Sequence, residues 1–408
     1  MKPMTADWSS PACKMTRATF LRGCAMAALT VGHRKRLFGA ENGQPVQKPG
    51  AGFLPLKAPF EEWNDKETGR RVRRITPPSL PYAYVAYHHV RAFTGDGRWL
   101  CFTGKSELGM DIYAFDLRTE TISRLTHTGQ GSLAGVVARR NEALVLSADA
   151  YHLLSVPEGK LRRLADRAVG DGGNTDTTAD GRYVVAGYME TSEEARKLRG
   201  QPGWVAKLAR LNLKYTFFTI DLETGQRKDF YWNRTFPDHL QCSPTDPTLF
   251  NYIRYSAAER DGGGIWLMTT DGLLTGSQCA VEGGHHHIWS PDGNYVYYDF
   301  GDGRAPWAYW RWDRQTRKTE QVLPPEEWNF HFCVAPDGQS LVGDGNWSDG
   351  YINLYHLEGG GKYRKQRLCK RVTSKLRTED MARFAPDGKS VFFNGIVDGA
   401  RAIFQVIL

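Results

Sequence analysis

Three histidines occupy one equivalent position in three successive repeats of this sequence. His239, His286 and His331 each lie three residues before the residue that opens a turn segment, namely CSPTDP, WSPDG and VAPDG. Clustered imidazoles suit a divalent metal site, a general base, or both, because a neutral imidazole binds metals and titrates near pH 7. A lone strand histidine is more often a structural group, whereas three in one register indicate a functional site.

The other repeats carry different residues at this position. These are Val90, Ala134, Asn174 and Met381, and His285 and His287 flank the middle histidine of the set. If each repeat places this position at the same end of a central channel, the three imidazoles converge around one opening.

The repeated turn predicts strands joined in pairs. FTGDG, TTADG, CSPTDP, WSPDG, VAPDG and FAPDG each lie between two apolar runs, and a degraded copy lies at 137–147. Gly accepts the positive φ of such a turn, and Asp bonds to its own backbone. The copies recur about every 40 to 50 residues, a period typical of four-stranded propeller blades. The sequence predicts an all-β, seven-bladed β-propeller.

The last repeat leaves room for only three strands, and the start of the body can supply the fourth. EWNDKETGRRVRRIT at 62–76 has the same form as the later blade ends FDLRTETISRLT and WDRQTRKTEQVL. We therefore expect an N-terminal strand to complete the C-terminal blade. Such closure leaves no long unpaired inner edge.

Bulk properties are those of one large globular domain, expected over 41–408. The 408 residues are 41% hydrophobic and 12% aromatic, and no stretch is apolar for long enough to form a membrane-spanning helix. The net charge of +8 is concentrated in residues 1–40, which carry seven Lys/Arg and one acidic residue. The body is nearly neutral, which argues against nucleic acid as a partner.

Residues 1–40 form a separate leader. The stretch TRATFLRGCAMAALTVG at 16–32 resembles a twin-arginine export signal in which Ala18 stands where the second arginine belongs. This predicts a periplasmic or secreted protein; a disordered tail on a cytoplasmic protein is the alternative. Five of the seven cysteines lie in the body without CxxC spacing, which favours buried free thiols.

The longest interval between turns contains a basic insertion at about 189–213. SEEARKLRG and VAKLARLNL look helical, and long insertions of this kind are often binding loops. Arg210 belongs to its cluster of basic residues, which could present cations to an acidic ligand. A solvated helix face is the alternative.

At these residues the chain resembles the oligogalacturonate lyases, a polysaccharide lyase family with a seven-bladed propeller. The resemblance rests on HLQCSPTDPTLFNYIRY at 239–255, GGHHHIWSPDG at 283–293 and FHFCVAPDGQSLVGDG at 330–345, and it covers most of 60–408. The SPTDPT segment is specific, whereas Pro-Asp-Gly turns occur in many propellers. The resemblance implies a lyase that cleaves uronate-containing oligosaccharides by β-elimination to a 4,5-unsaturated uronate.

The resemblance also implies roles for particular residues. His239 would be the base that removes the sugar C5 proton, and His286 would bind a divalent cation, typically manganese, that pairs with the substrate carboxylate. Lys214 is the nearest equivalent of an assisting basic residue. Arg254 and Tyr255, shortly after the SPTDPT turn, are candidates for substrate contact or an outward-facing strand pair.

This chain departs from the family at the other metal ligands. The family has a Gln-x-x-His-x-His run before the last Pro-Asp-Gly, and here Leu376, Glu379 and Met381 stand at those three positions. Two alternatives follow. His286, His331 and Glu379 form a metal site, or the site is altered or metal-free.

Other classes share the architecture. A non-catalytic TolB-like propeller that binds a carbohydrate or protein has the same turns, but it does not predict three histidines at one rim. A lyase for another acidic glycan differs only in substrate. A serine-peptidase propeller is excluded because no Gly-x-Ser-x-Gly motif and no spare length are present.

Overall fold

The computed structural model describes residues 55–408, except for 169, 171–173, 199–200, 202, 256–263, 272–277, 302–305, 347 and 374–379. The expected leader at 1–40, together with Leu376 and Glu379, lies outside the described residues. Within them, no helix is long and apolar enough to span a bilayer.

Three short strands precede the first blade and are used elsewhere in the ring: β1 (Leu56–Lys57), β2 (Glu61–Asn64) and β3 (Arg71–Arg74). The first blade contains β4 (Ala83–Tyr84), β5 (Trp99–Lys105), β6 (Met110–Asp116) and β7 (Thr121–Arg124), with β1 added outside β7. The second contains β8 (Ser132–Val136), β9 (Glu142–Leu146), β10 (Ala150–Ser155) and β11 (Leu161–Asp166). The third contains β12 (Asp176–Thr177), β13 (Tyr183–Met189), β14 (Tyr215–Asp221) and β15 (Arg227–Asn233).

The remaining blades repeat the pattern. The fourth contains β16 (Phe236–Cys242), β17 (Leu249–Tyr255), β18 (Gly264–Thr269) and β19 (Gln278–Val281). The fifth contains β20 (His287–Trp289), β21 (Tyr295–Phe300), β22 (Ala308–Asp313) and β23 (Thr319–Leu323). The sixth contains β24 (Phe332–Val334), β25 (Ser340–Gly343), β26 (Tyr351–Gly359) and β27 (Lys362–Lys370). The seventh contains β28 (Arg383–Phe384), β29 (Ser390–Val397) and β30 (Ala400–Ile407).

Seven antiparallel sheets therefore make a seven-bladed propeller, as the repeats predicted. In each sheet the first strand of the repeat lies at one edge, and from the second blade to the seventh the first strands of neighbouring blades contact each other. The turns between first and second strands have the expected chemistry. In the first blade, Gly97 has φ 70° and the Asp96 carboxylate accepts a hydrogen bond from the Arg98 N–H at 3.0 Å.

The N-terminal segment closes the ring, as predicted. Strand β3 pairs antiparallel with β30, with Val72 opposite Val406, and β2 adds a fifth strand outside β3. Val72 is buried in an apolar cluster with Val391 and Phe404. The last blade thus takes two strands from the start of the body, where the sequence indicated one.

Two helices, α1 (Glu193–Leu198) and α2 (Trp204–Arg210), lie between β13 and β14, within the interval of the predicted basic insertion. Helix α2 packs against the fourth blade, with the Trp204 ring 5.6 Å from that of Phe236. A single 3-10 turn, Pro325–Glu327, precedes the sixth blade. The cysteines Cys101, Cys242, Cys333 and Cys369 are free thiols, as expected.

Candidate functional site

The fifth and sixth blades each place a histidine opposite an aspartate where the first strand begins. His286 directly precedes β20, and its Nδ1 donates to Asp299 Oδ2 on the neighbouring strand β21 at 3.1 Å. His331 directly precedes β24, and its Nδ1 donates to Asp344 Oδ2 at 3.0 Å. In both pairs the histidine ring is the donor, because an ionised carboxylate only accepts hydrogen bonds. The same register in two blades therefore produces two equally oriented imidazoles.

Both aspartates are buried, and both are held in their charged form. Burial raises the pKa of the Asp299 carboxyl, but the facing His286 ring lowers it, and the net shift is downward. The pKa of Asp344 is lowered in the same way, against the effect of burial, by the facing His331 ring. A charged carboxylate fixes the tautomer of the ring it faces and leaves the second nitrogen, Nε2, as the one with a lone pair.

His239 reaches the same region through an irregularity in β16. The pairing of β16 with β17 shifts between Asp238 and Gln241, and His239 has a φ of 51°. A bulge of this kind re-aims a side chain and is frequent next to functional sites. The ring places Nε2 3.3 Å from the Tyr87 hydroxyl and Nδ1 3.4 Å from Asp238 Oδ2.

The first blade supplies three further rings from the segment after β4. Neighbouring ring centroids of the whole set lie 4.7 to 6.4 Å apart. We call this set the rim cluster; its members are Tyr87, His88, His89, His239, His286 and His331. Four of its histidines are buried, while Tyr87 and His89 are only half-buried, so the cluster has a solvent-facing side.

The three histidines predicted from the register therefore converge, since each ring contacts another member of the rim cluster. The sequence reasoning missed Tyr87, His88 and His89. Their signal was the doublet His88–His89 directly before the first-blade position Val90, a place the register assigned to an apolar residue.

His285 and His287 have different environments from the rim cluster. His287 is fully buried, with one ring nitrogen 3.0 Å from the Asn251 side chain and the other 3.2 Å from the His285 carbonyl. Burial lowers the pKa of His287 to about 3. His287 is therefore a neutral structural group, whereas the His285 ring packs 5.7 Å from Tyr255.

The predicted substrate residues lie at the periphery. The Tyr255 ring packs against His285, whose centroid is 6.1 Å from that of His286. Arg254 places its guanidinium 4.1 Å from the Trp266 ring, and Lys214 places its ammonium 5.0 Å from the exposed Trp232 ring. Across the described part of the chain, no hydrogen bond or ring contact joins Lys214, Arg210 or Arg254 to the rim cluster.

Three members of the rim cluster are spaced for a metal ion. His88, His89 and His239 each offer one ring nitrogen, and these nitrogens lie within 4.8 Å of one another. Burial and the neighbouring imidazoles hold the pKa of His88 and of His89 well below the ordinary value. Both rings are therefore neutral at pH 7, the form that binds metals.

Comparison with known proteins decides the family. The sequence pattern described as oligogalacturonate lyase matches residues 54–408. The chain belongs to the oligogalacturonate lyase family. It is 24% identical over 396 residues to an oligogalacturonide lyase from Pectobacterium atrosepticum, covering 86% of this chain and 96% of that one. It is 22% identical over 390 residues to an oligogalacturonate lyase from Dickeya dadantii, with the same coverage of both chains.

A solved oligogalacturonate lyase has the same fold. That structure, described as a complex with manganese, superposes with a TM-score of 0.75 at 19% identity, covering 87% of this chain and 97% of the other. The family membership makes this protein a lyase. A resident divalent cation is consistent with the imidazole nitrogens of the rim cluster.

The family's last-blade ligands fit less well. Met381 stands where the resemblance expects a histidine, and its side chain is fully buried in the seventh blade. Glu379, the carboxylate predicted to join His286 and His331, lies outside the described residues. Within the described part of the chain, the imidazoles of His88, His89 and His239 are the better donor set.

Proposed function

We propose that this lyase cleaves uronate-containing oligosaccharides of the oligogalacturonate type by β-elimination. The observation that carries the proposal is the convergence of His239, His286 and His331 on one end of the ring. The family membership supports it, as do the substrates in the names of the related lyases. A propeller that only binds its ligand has no need for several imidazoles in contact, two of them oriented by buried carboxylates.

The elimination needs a base and a way to accommodate negative charge. An imidazole takes the proton from C5 of the uronate, and the electron pair of that bond forms the C4–C5 double bond. The bond between C4 and the glycosidic oxygen breaks, and the departing oxygen receives a proton from solvent. The resemblance gives the role of base to His239, whose solvent-side neighbours are Tyr87 and His89.

The uronate carboxylate must be neutralised before C5 becomes acidic enough. A divalent cation, when bound, supplies this by pairing with the carboxylate and stabilising the developing enolate. Imidazoles of the rim cluster are the side chains of this chain that would hold such an ion. Manganese in a related lyase supports a divalent cation as the cofactor.

His239→Ala tests the proposal directly. The variant should fold normally and form the ultraviolet-absorbing unsaturated product from galacturonate oligomers at least about 100-fold more slowly than the parent, the usual loss for a positioned acid or base. His356→Ala is the control, because His356 lies on β26 of the sixth blade and hydrogen-bonds Ser340 at 3.0 Å, outside the rim cluster.

Each outcome of this assay has a defined meaning. Unchanged turnover by His239→Ala would remove His239 from the reaction. Product from another acidic glycan, but not from galacturonate oligomers, would keep the β-elimination and change the substrate. Binding of oligomers with no unsaturated product under any condition would favour the non-catalytic propeller.

A further inference from the structure

Two imidazoles of the rim cluster have a nitrogen that the protein leaves unused. His88 Nε2 and His89 Nδ1 are buried, and neither has a hydrogen-bond partner in the described part of the chain, whereas His239 Nδ1 lies 3.4 Å from Asp238 Oδ2. Burying a polar atom without a partner is unfavourable. Two such atoms, on residues whose ring nitrogens lie within 4.8 Å of each other and of a ring nitrogen of His239, point to a ligand that binds between these imidazoles.

The tautomer of His88 suits this use. Its Nδ1 lies 3.2 Å from the Phe332 carbonyl oxygen, which can only accept, so Nδ1 carries the hydrogen. The lone pair is then on Nε2, the nitrogen without a partner. A backbone carbonyl behind a metal-binding histidine is a common arrangement, because it fixes both the tautomer and the ring orientation.

The seventh blade holds the segment that carries His88 and His89. The Arg383 guanidinium donates to the carbonyls of Ala86, Tyr87 and Val90, at 2.9 Å for Tyr87 and 2.8 Å for Val90. The Asn394 side chain also accepts from the Val85 N–H at 3.0 Å. The resemblance to the oligogalacturonate lyases implies metal ligands on the last blade. In this chain the last blade instead holds in place the first-blade segment that carries His88 and His89.

We propose that His88, His89 and His239 form a three-imidazole site for a divalent transition metal. The site differs in its ligands from the last-blade set that the resemblance implies. An ion about 2.0–2.1 Å from each nitrogen would hold the nitrogens about 3.3 Å apart, so small side-chain rotations close the site.

The donor set also predicts which ion binds. Imidazole nitrogens suit zinc, nickel and copper, whereas manganese and magnesium prefer carboxylate and water oxygens. Zinc and nickel should therefore bind this site more tightly than manganese. The inference deepens the proposed function and rests on it only for the substrate that the ion would face; metal binding itself needs no substrate.

Metal titration of the full chain tests the site. After removal of metal with a chelator, calorimetry should show one Zn²⁺ bound per chain, at least about 10-fold more tightly than Mn²⁺, in line with the general affinity order. His88→Ala and His89→Ala should each weaken Zn²⁺ binding at least about 100-fold. His286→Ala should retain it, and so should His356→Ala, the control outside the cluster.

The opposite pattern overturns the inference. If His286→Ala abolishes binding while His88→Ala and His89→Ala retain it, the ion lies at the family position. Should the buried His88→Ala fail to fold, the half-buried His89→Ala still decides the question, as does the visible absorption of the Co²⁺-loaded protein, which reports loss of an imidazole ligand. If one Zn²⁺ binds but no lyase product forms, only the proposed function is contradicted. If the protein turns over substrate without binding any metal, only this inference is contradicted.

Discussion

At the scale of single residues, the two proposals place different demands on His239. An imidazole that binds an ion through one nitrogen carries a hydrogen on the other, so it cannot also take a proton from the substrate. The imidazoles of His286 and His331, each oriented by a buried carboxylate, are then the available bases. In the proposed site, His88, His89 and His239 bind the ion, and His286 or His331 accepts the proton.

The carboxylate behind His331 offers a test at this scale. Asp344 accepts hydrogen bonds from the His331 ring and, at longer distances, from the backbone N–H groups of Asp380 and Met381. Asp344→Asn should lower turnover about 10- to 100-fold, the usual loss when a carboxylate behind a functional histidine is removed. Steady-state kinetics should place the loss in kcat.

A matched control lies in the same blade. Asp337 is exposed in the VAPDG turn, where its side chain accepts a hydrogen bond from the Gln339 N–H at 2.8 Å. Asp337→Asn keeps that acceptor and should leave turnover unchanged. Equal losses in the two variants would show that the effect of Asp344→Asn is a general loss of charge and not a loss of ring orientation.

At the scale of elements, the same aspartate-stabilised turn recurs at four strand ends. An aspartate at the end of a strand accepts hydrogen bonds from the backbone N–H groups two and three residues later, or from the side chain at the later position. The pKa of each of these carboxyls is lowered. Hydrogen bonds from Arg98 are the main cause at Asp116, and backbone N–H groups lower the pKa of Asp65, against the effect of burial, and of Asp221 and Asp313. The four residues are Asp65, Asp116, Asp221 and Asp313.

Asp116 predicts a pH dependence of stability. Two charge-assisted hydrogen bonds from Arg98, at 3.0 and 2.6 Å, lower its pKa in the folded state. A lowered folded pKa stabilises the fold above the unfolded pKa of about 3.9, and this stabilisation is lost as pH falls towards the folded value. Asp116→Asn should therefore be less stable than the parent at pH 7, with the difference shrinking below about pH 4.

Urea unfolding of both proteins at pH 7, 4 and 3 measures this difference. Asp313→Asn is the comparison, because Asp313 makes the same turn, no side-chain hydrogen bond from an arginine reaches it among the described residues, and it should show a smaller pH-dependent difference. A stability gap for Asp116→Asn that stays constant or widens on acidification would contradict the assigned ion pair.

At the scale of the whole molecule, stability depends on the pairing of β3 with β30, which closes the ring in the seventh blade. We call this pairing the seam. Strand β3 lies next to β30, and Val72 is buried in an apolar cluster that includes Val391 and Phe404. Val72→Ala removes two buried methyl groups and should lower the free energy of unfolding by about 1–3 kcal/mol. Because the seam joins both ends of the ring, all blades should unfold in the same transition.

Arg71→Ala on the same strand is the control, since Arg71 is exposed and its nearest ion-pair contact, Glu62, is 4.0 Å away. It should change stability by less than about 0.5 kcal/mol. Denaturant unfolding followed by fluorescence gives both values. An early, separate transition in Val72→Ala would mean that the seventh blade opens independently of the others.

The sequence by itself determined the blade count, the closure by an N-terminal strand and the convergence of His239, His286 and His331. These follow from local signals, because a repeated turn specifies a repeated hairpin and equivalent positions in stacked hairpins face one axis. Only the tertiary structure brought His88 and His89 to His239, 150 residues away in the chain, and made the last blade their support through Arg383. No local pattern encodes this, since only the closed ring brings the first blade to His239 of the fourth blade and to Arg383 of the last.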